Sequence, residues 1–149
     1  MDNFIGNIDA KVDAKGRVFI PAAFRKILHS AGETRLVLRK DIYENCLVLY
    51  PGSVWEAELA DLRTRLKKYA RDQRQIYRKF VQDSELLEPD TNGRILIPKR
   101  YLQIAGITGD VRFMGMDNTI EIWNPEQLDH PAMDEATFEK NMDQLLGSI

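Results

Sequence analysis

The stretch Asp13-Ala-Lys-Gly-Arg17-Val-Phe-Ile-Pro21-Ala-Ala-Phe24 returns 77 residues later, without a gap, as Asp90-Thr-Asn-Gly-Arg94-Ile-Leu-Ile-Pro98-Lys-Arg-Tyr101. Aspartate, glycine, arginine, an apolar triplet, proline and an aromatic all recur, which is too many matches for chance. In each copy the aspartate suits the first position of a type I turn, where its carboxylate can accept a backbone N–H two residues on. Glycine at the fourth position suits a left-handed exit. The turn joins a preceding extended segment (8–12 and 85–89) to a strand of three successive apolar residues, a pattern that predicts burial on both faces. Pro21 and Pro98 then open short helices, 22–31 and 98–105, which end at Gly32 and Gly106.

Working outward, each copy is followed by two apolar strands, 35–39 and 46–50 in the first half and 111–116 and 119–123 in the second. The chain therefore reads as a duplicated β-β-α-β-β module. The expected organisation is a first lobe at 1–51, a helical connector at 52–82, a second lobe at 83–125 and an acidic tail at 126–149. In the connector, Ser53 is the expected N-cap. Trp55, Leu59, Leu62, Leu66 and Tyr69 form a heptad-like apolar stripe, and Asp72 with Gln75 has the spacing of a capping box. Residues 134–146 predict a weakly amphipathic terminal helix.

The chain's 149 residues suit one compact domain or two very small lobes sharing a core. With 44% hydrophobic and 30% charged residues the composition is that of a soluble globular chain. No apolar run approaches the roughly 18–20 residues that span a bilayer, and the start does not resemble a signal peptide, so the expectation is cytoplasmic. Net charge −2 and pI near 5.7, read alone, disfavour nucleic acid. The distribution removes that objection. Residues 1–81 carry sixteen Lys/Arg against ten Asp/Glu, whereas 82–149 carry five against thirteen. The run 63–79 holds eight cations against Asp72 alone. Such a run is equally consistent with a solvated helix face, or with one paired to the acidic tail of the same or a neighbouring chain.

Catalytic chemistry finds little support. Cys46 is the single cysteine, inside an apolar strand, where it reads as a core residue. His29 and His130 are far apart and lack metal-ligand spacing. Phosphate-binding and nucleophile-elbow motifs are absent from the sequence. The expectation is a non-enzyme with no cofactor, no metal and no small-molecule substrate. The repeated Asp-x-x-Gly-Arg loop reads two ways. It is either a turn closed by an Asp13–Arg17 and an Asp90–Arg94 ion pair, or a device that presents arginine, the side chain suited to bidentate recognition of phosphate or guanine.

The chain resembles the MraZ family of bacterial transcriptional regulators, built from two AbrB-like (SpoVT-AbrB) lobes. The resemblance runs to about Trp123. It rests on Phe4-Ile-Gly-Asn7, on both Asp-x-x-x-Arg motifs with the strands that follow, on Asp41-Ile-Tyr-Glu-Asn-Cys-Leu-Val-Leu-Tyr-Pro51, and on Trp55. It implies an α+β, mainly β fold: a duplicated swapped-hairpin β-barrel with connecting helices. It also implies a nucleoid-associated homo-oligomeric ring that binds repeated double-stranded DNA elements upstream of the division and cell-wall gene cluster, which includes its own gene. Carried over by position, Arg17 and Arg94 would contact DNA, Asp13 and Asp90 would orient them, Gly16 and Gly93 would shape the turns, and Lys15 would add a phosphate contact. Asn92 stands where the first loop has Lys15, and 82–88 adds acid ahead of the second motif, so Arg17 is expected to dominate over Arg94. Two rival readings stay open: an antitoxin-like module that binds DNA and a partner protein, and a structural ring without DNA contact.

Overall fold

The computed structural model of the protein describes residues 2–130 and 132–147. The first half contains β1 (Asn7–Lys11), β2 (Arg17–Phe19), α1 (Ala22–Ser30), β3 (Leu36–Lys40) and β4 (Leu47–Pro51). Two connecting helices follow, α2 (Gly52–Arg65) and α3 (Arg71–Gln82). The second half repeats the first with β5 (Ser84–Leu87), β6 (Arg94–Leu96), α4 (Lys99–Ala105), β7 (Asp110–Met116) and β8 (Thr119–Trp123). The short α5 (Pro125–Asp129) and the terminal α6 (Glu135–Leu145) end the described chain.

Every strand pair but two crosses between the halves. One antiparallel sheet has the order β1-β7-β8-β4-β3-β5, and β2 pairs with β6 in a separate two-stranded ribbon. The first half's β1 lies on β7, with Ile8 opposite Phe113, and the second half's β5 lies on β3, with Leu87 opposite Leu36. The two hairpins meet at β4–β8, where Leu49 faces Ile120. A single apolar core results. Val18, Ile20, Ile95 and Ile97 enter it from the ribbon, Phe24 and Tyr101 from α1 and α4, and Leu38, Leu49, Phe113 and Ile122 from the sheet. Phe4 meets Phe24 edge-on at 5.5 Å.

This architecture corrects the expected mainly-β swapped-hairpin barrel. The fold is a mixed α+β one, 40% helix and 27% strand, and its sheets are open and uncurled. A barrel needs its first and last strands to hydrogen-bond to each other. Here β1 and β5 sit at opposite edges, and the ribbon strands that could have bridged them pair with each other instead. The ribbon strands are also only three residues long, so the connecting and terminal helices outweigh them. The expectation that β2 and β6 bury both faces fails as well. Val18 and Ile95 are 1% exposed, but Phe19 and Leu96 are 53% and 55% exposed.

An aromatic cluster fastens the connector to the first half. Trp55 stacks on Phe80 with centroids 5.4 Å apart, the Arg39 guanidinium lies 4.2 Å from the centroid of the same Phe80 ring, and Arg39 Nε donates to the Phe80 carbonyl at 2.9 Å. Further out the stripe loses its partner: Leu59, Leu62 and Leu66 are half-buried and Tyr69 is exposed. The caps also shift. The first turn of α2 begins at Gly52, and Ser53 Oγ donates to Glu33. At α3 no side chain caps the N-terminus; Asp72 lies inside the first turn, and Gln73 rather than Gln75 reaches back, accepting from the Lys67 N–H.

One shared core predicts one unfolding transition. Phe24→Ala should cost about 3–5 kcal/mol in chemical denaturation. In the unmodified chain, tryptophan fluorescence and far-ultraviolet circular dichroism should report coincident midpoints; separate midpoints would mean independently folding halves.

Candidate nucleic-acid interface

The two motif loops have the same geometry. Asp13 Oδ1 accepts the backbone N–H groups of Lys15 and Arg17, both at 2.9 Å, and its Oδ2 accepts from Arg17 Nε at 2.9 Å. Asp90 does the same for Asn92 and Arg94, with all three contacts at 2.9 Å. Gly16 and Gly93 take φ of +90° and +84°, the left-handed exit their turns require. At position 16 a side chain is doubly excluded, because a Cβ there would lie 2.7 Å from the Ile97 carbonyl oxygen. That carbonyl marks how closely each loop abuts the other motif's strand. The Ile97 N–H donates to the Gly16 carbonyl at 2.8 Å, and the Ile20 N–H to the Gly93 carbonyl at 3.0 Å.

The β2–β6 register places the arginines together. Arg17 is opposite Leu96, Val18 opposite Ile95 and Phe19 opposite Arg94. Successive strand residues alternate faces. With Val18 and Ile95 turned into the core, Arg17, Phe19, Arg94 and Leu96 share the outer face. Arg94 lies 5.8 Å from the centroid of the Phe19 ring. Each aspartate engages only the Nε edge of its arginine, so the Nη donors of both forks have no hydrogen-bond partner among the described residues. A guanidinium held at Nε and open at Nη is oriented for a two-pronged contact with phosphate or guanine. The chemistry such an arrangement offers is recognition of an anion or a base edge.

The sequence-predicted residues Asp13, Lys15, Gly16, Arg17, Asp90, Gly93 and Arg94 therefore gather at one ribbon. The arginine side chains differ modestly in exposure, 37% for Arg17 and 27% for Arg94. The two loops differ in charge less than their sequences suggest. Arg25, from α1 of the other half, donates Nη1 to the Asn92 carbonyl at 3.2 Å and brings a cation to the loop that lacks the lysine. Its repeat counterpart is Leu102, beside Gly16, so the repeat alignment hides Arg25. The acid ahead of the second motif is partly neutralised too: Asp83 pairs with Lys79 at 2.9 Å and Glu85 with Arg100 at 3.5 Å. Phe19 and Leu96 were also missed. Their signal was the period-two alternation around Val18 and Ile95, masked by the continuous apolar run.

Elsewhere, Asp41, Cys46 and Glu121 bring potential ligand atoms within 4.8 Å of one another. Burial, followed by the neighbouring carboxylates, pushes the Cys46 thiol well above its ordinary range, which disfavours the thiolate a metal needs. Asp41 already caps the N–H groups of Tyr43 and Glu44, and Glu121 accepts from Trp123 Nε1. Cys46 is a core residue.

A family model described as "MraZ protein, putative antitoxin-like" matches residues 4–79 and 80–145. The chain belongs to the MraZ family. A Bacteroides thetaiotaomicron protein named "Transcriptional regulator MraZ" is 53% identical over 146 residues, 98% of this chain and 94% of the relative. A Bacteroides fragilis protein of the same name is also 53% identical, over 98% of this chain and 92% of its own length. A more distant namesake from Christiangramia forsetii is 33% identical over 91% of this chain and 87% of its own. No helix among the described residues is long and apolar enough to cross a membrane.

The backbone N–H of Arg17, then its guanidinium and the Lys15 N–H, hold the Asp13 carboxyl below its ordinary value of 3.8, and the second motif does the same for Asp90. A carboxylate with a lowered pKa contributes loop order that is full above the unfolded pKa and lost as pH falls through the folded one. Carboxyl-carbon NMR titration should therefore give midpoints for both below 3.8. In Arg17→Ala the Asp13 midpoint should rise only part of the way, because the backbone donors remain. A full return would show that the side chain alone orders the loop.

Proposed function

We infer that the chain is a sequence-specific DNA-binding transcriptional regulator and not an enzyme, acting on the division and cell-wall gene cluster that includes its own gene. The observation that carries this reading is the β2–β6 ribbon, which holds two Asp-anchored arginines with open Nη forks on one outer face. Membership of a family whose named relatives are transcriptional regulators supplies the class. Arg17 and Arg94 reach for base edges or phosphates, Asp13 and Asp90 orient them, Gly16 and Gly93 permit the turns, and Lys15 adds a phosphate contact. Arg25 supplies the cation of the second loop. Lobes at 1–51 and 83–125, a connector at 52–82 and a tail at 126–149 remain our division of the chain.

In this reading several copies, joined as a ring, set their ribbons on successive DNA repeats. Each contact can then be weak, because tethering raises the effective concentration of the next. The greater exposure of Arg17 and the lysine beside it make it the stronger of the two contacts. Double-stranded DNA and further copies of the chain are the partners, at the nucleoid, with no cofactor.

Gel retardation on a fragment from upstream of the chain's own gene tests this. A bidentate arginine contributes roughly 1–3 kcal/mol of base discrimination. Arg17→Ala should abolish the specific shift while thermal unfolding stays unchanged, and Arg94→Ala should cost less. Unchanged affinity in Arg17→Ala would overturn the reading; equal losses would overturn the priority of Arg17 alone.

A further inference from the structure

Among the described residues, two surfaces without a packing partner complement each other. The first is a cleft of about 730 Å³ where α2, the 66–70 link and α3 meet. Its floor includes Leu66, Tyr77 and Val81, and its rim carries Arg63, Arg74 and Arg78. The second is α6, in which no residue is buried. Phe138, Met142 and Leu145 fall at i, i+4 and i+7, on one helical face, and are 51%, 37% and 81% exposed. Glu135, Glu139 and Asp143, spaced by four, run as an acidic ridge along the border of that face. Asp134 caps the helix by accepting the Thr137 N–H at 2.7 Å, so α6 has its own start signal despite its lack of packing.

We propose that α6 of one chain docks, apolar face down, into the α2–α3 cleft of a second copy, with its acidic ridge against the arginine rim. This is helix-in-groove recognition, read through i, i+4 and i+7 anchors. Charge complementarity selects the occupant. The basic run at 63–79 carries eight cations against Asp72, and α6 with its cap carries Asp134, Glu135, Glu139 and Asp143 against Lys140. Since each copy both offers a helix and presents a cleft, the contact is head-to-tail, the type that generates a closed ring when its rotation closes. The proposal rests on the self-association in the reading above and is independent of its DNA contacts.

Sedimentation of the full chain without DNA, at low and high salt, tests it. Arg74→Glu with Arg78→Glu should lower the assembly mass, as should Glu139→Arg with Asp143→Arg, and combining all four should restore it. These positions are exposed, so an unchanged unfolding transition shows that each variant folds. Cys46 is 0% exposed, which leaves introduced cysteines as the accessible thiols. In Tyr77→Cys with Met142→Cys, a bismaleimide should give a ladder of cross-linked chains on a denaturing gel. A faster-moving single chain would place α6 in its own cleft and overturn the second-copy occupant. Wild-type mass in both charge variants, or no cross-link, would overturn the docking while leaving self-association intact. A monomeric wild type would overturn self-association itself.

Discussion

The antiparallel pairing of β2 with β6 is the constraint on which the rest of the structure depends. Three residues from each copy of the repeat form the ribbon, and the period-two rule leaves little freedom. The central pair, Val18 and Ile95, must enter the core, because it is the only pair whose neighbours on both sides can then carry charge. Once it does, Arg17 and Arg94 are turned outward on the same face, each diagonal to the other. Slipping the register by one residue would put one of the two arginines on the core face and turn either Val18 or Ile95 outward. The loops reinforce the choice, since the carbonyl of each motif glycine accepts from the isoleucine after the other motif's strand. Neither half can complete its own motif.

That mutual dependence extends to the sheet. With β1 committed to β7 and β5 to β3, each half donates an edge strand to the other half's hairpin. A lobe of about fifty residues would bury too little surface to be stable alone. Exchange gives both lobes one core, with Phe24 and Tyr101 closing it from equivalent helices. The ribbon is thereby supported by the whole molecule, a firm base for side chains that must hold a fixed orientation. Aspartate completes the arrangement at the tip: it satisfies three donors of its own loop and leaves the Nη fork for a partner.

Much of this was legible in the sequence. The 77-residue offset located both turns, both arginines and the order of elements, and most strand limits moved by a residue or so. The repeat could not say which strand of one half pairs with which strand of the other, so the open six-stranded sheet was not readable from it. It also drew weight away from the helices that lie outside it, although the sequence had marked most of them. Phe19 and Leu96 were misplaced because an unbroken apolar run carries no period. Arg25 was hidden for a different reason: it acts on the second loop from the first half, where the alignment of copies pairs it with a leucine.

Charge shows how local physics overrides a global sum. At physiological ionic strength an exposed charge is felt over only about 8 Å, so a partner at the ribbon senses chiefly the groups around it: Arg17, Arg94, Lys15 and Arg25, with the Asp13 and Asp90 carboxylates. A net charge of −2 is then no obstacle to an anionic partner. The same short range explains why cations in the α2–α3 connector cannot assist the ribbon unless they lie beside it. Clustered around an apolar floor that no motif-loop residue lines, they suit a role separate from that of the two anchored arginines. Acid opposite such a cleft attracts only on close approach, which makes the charge a selector of register and partner more than a source of long-range attraction.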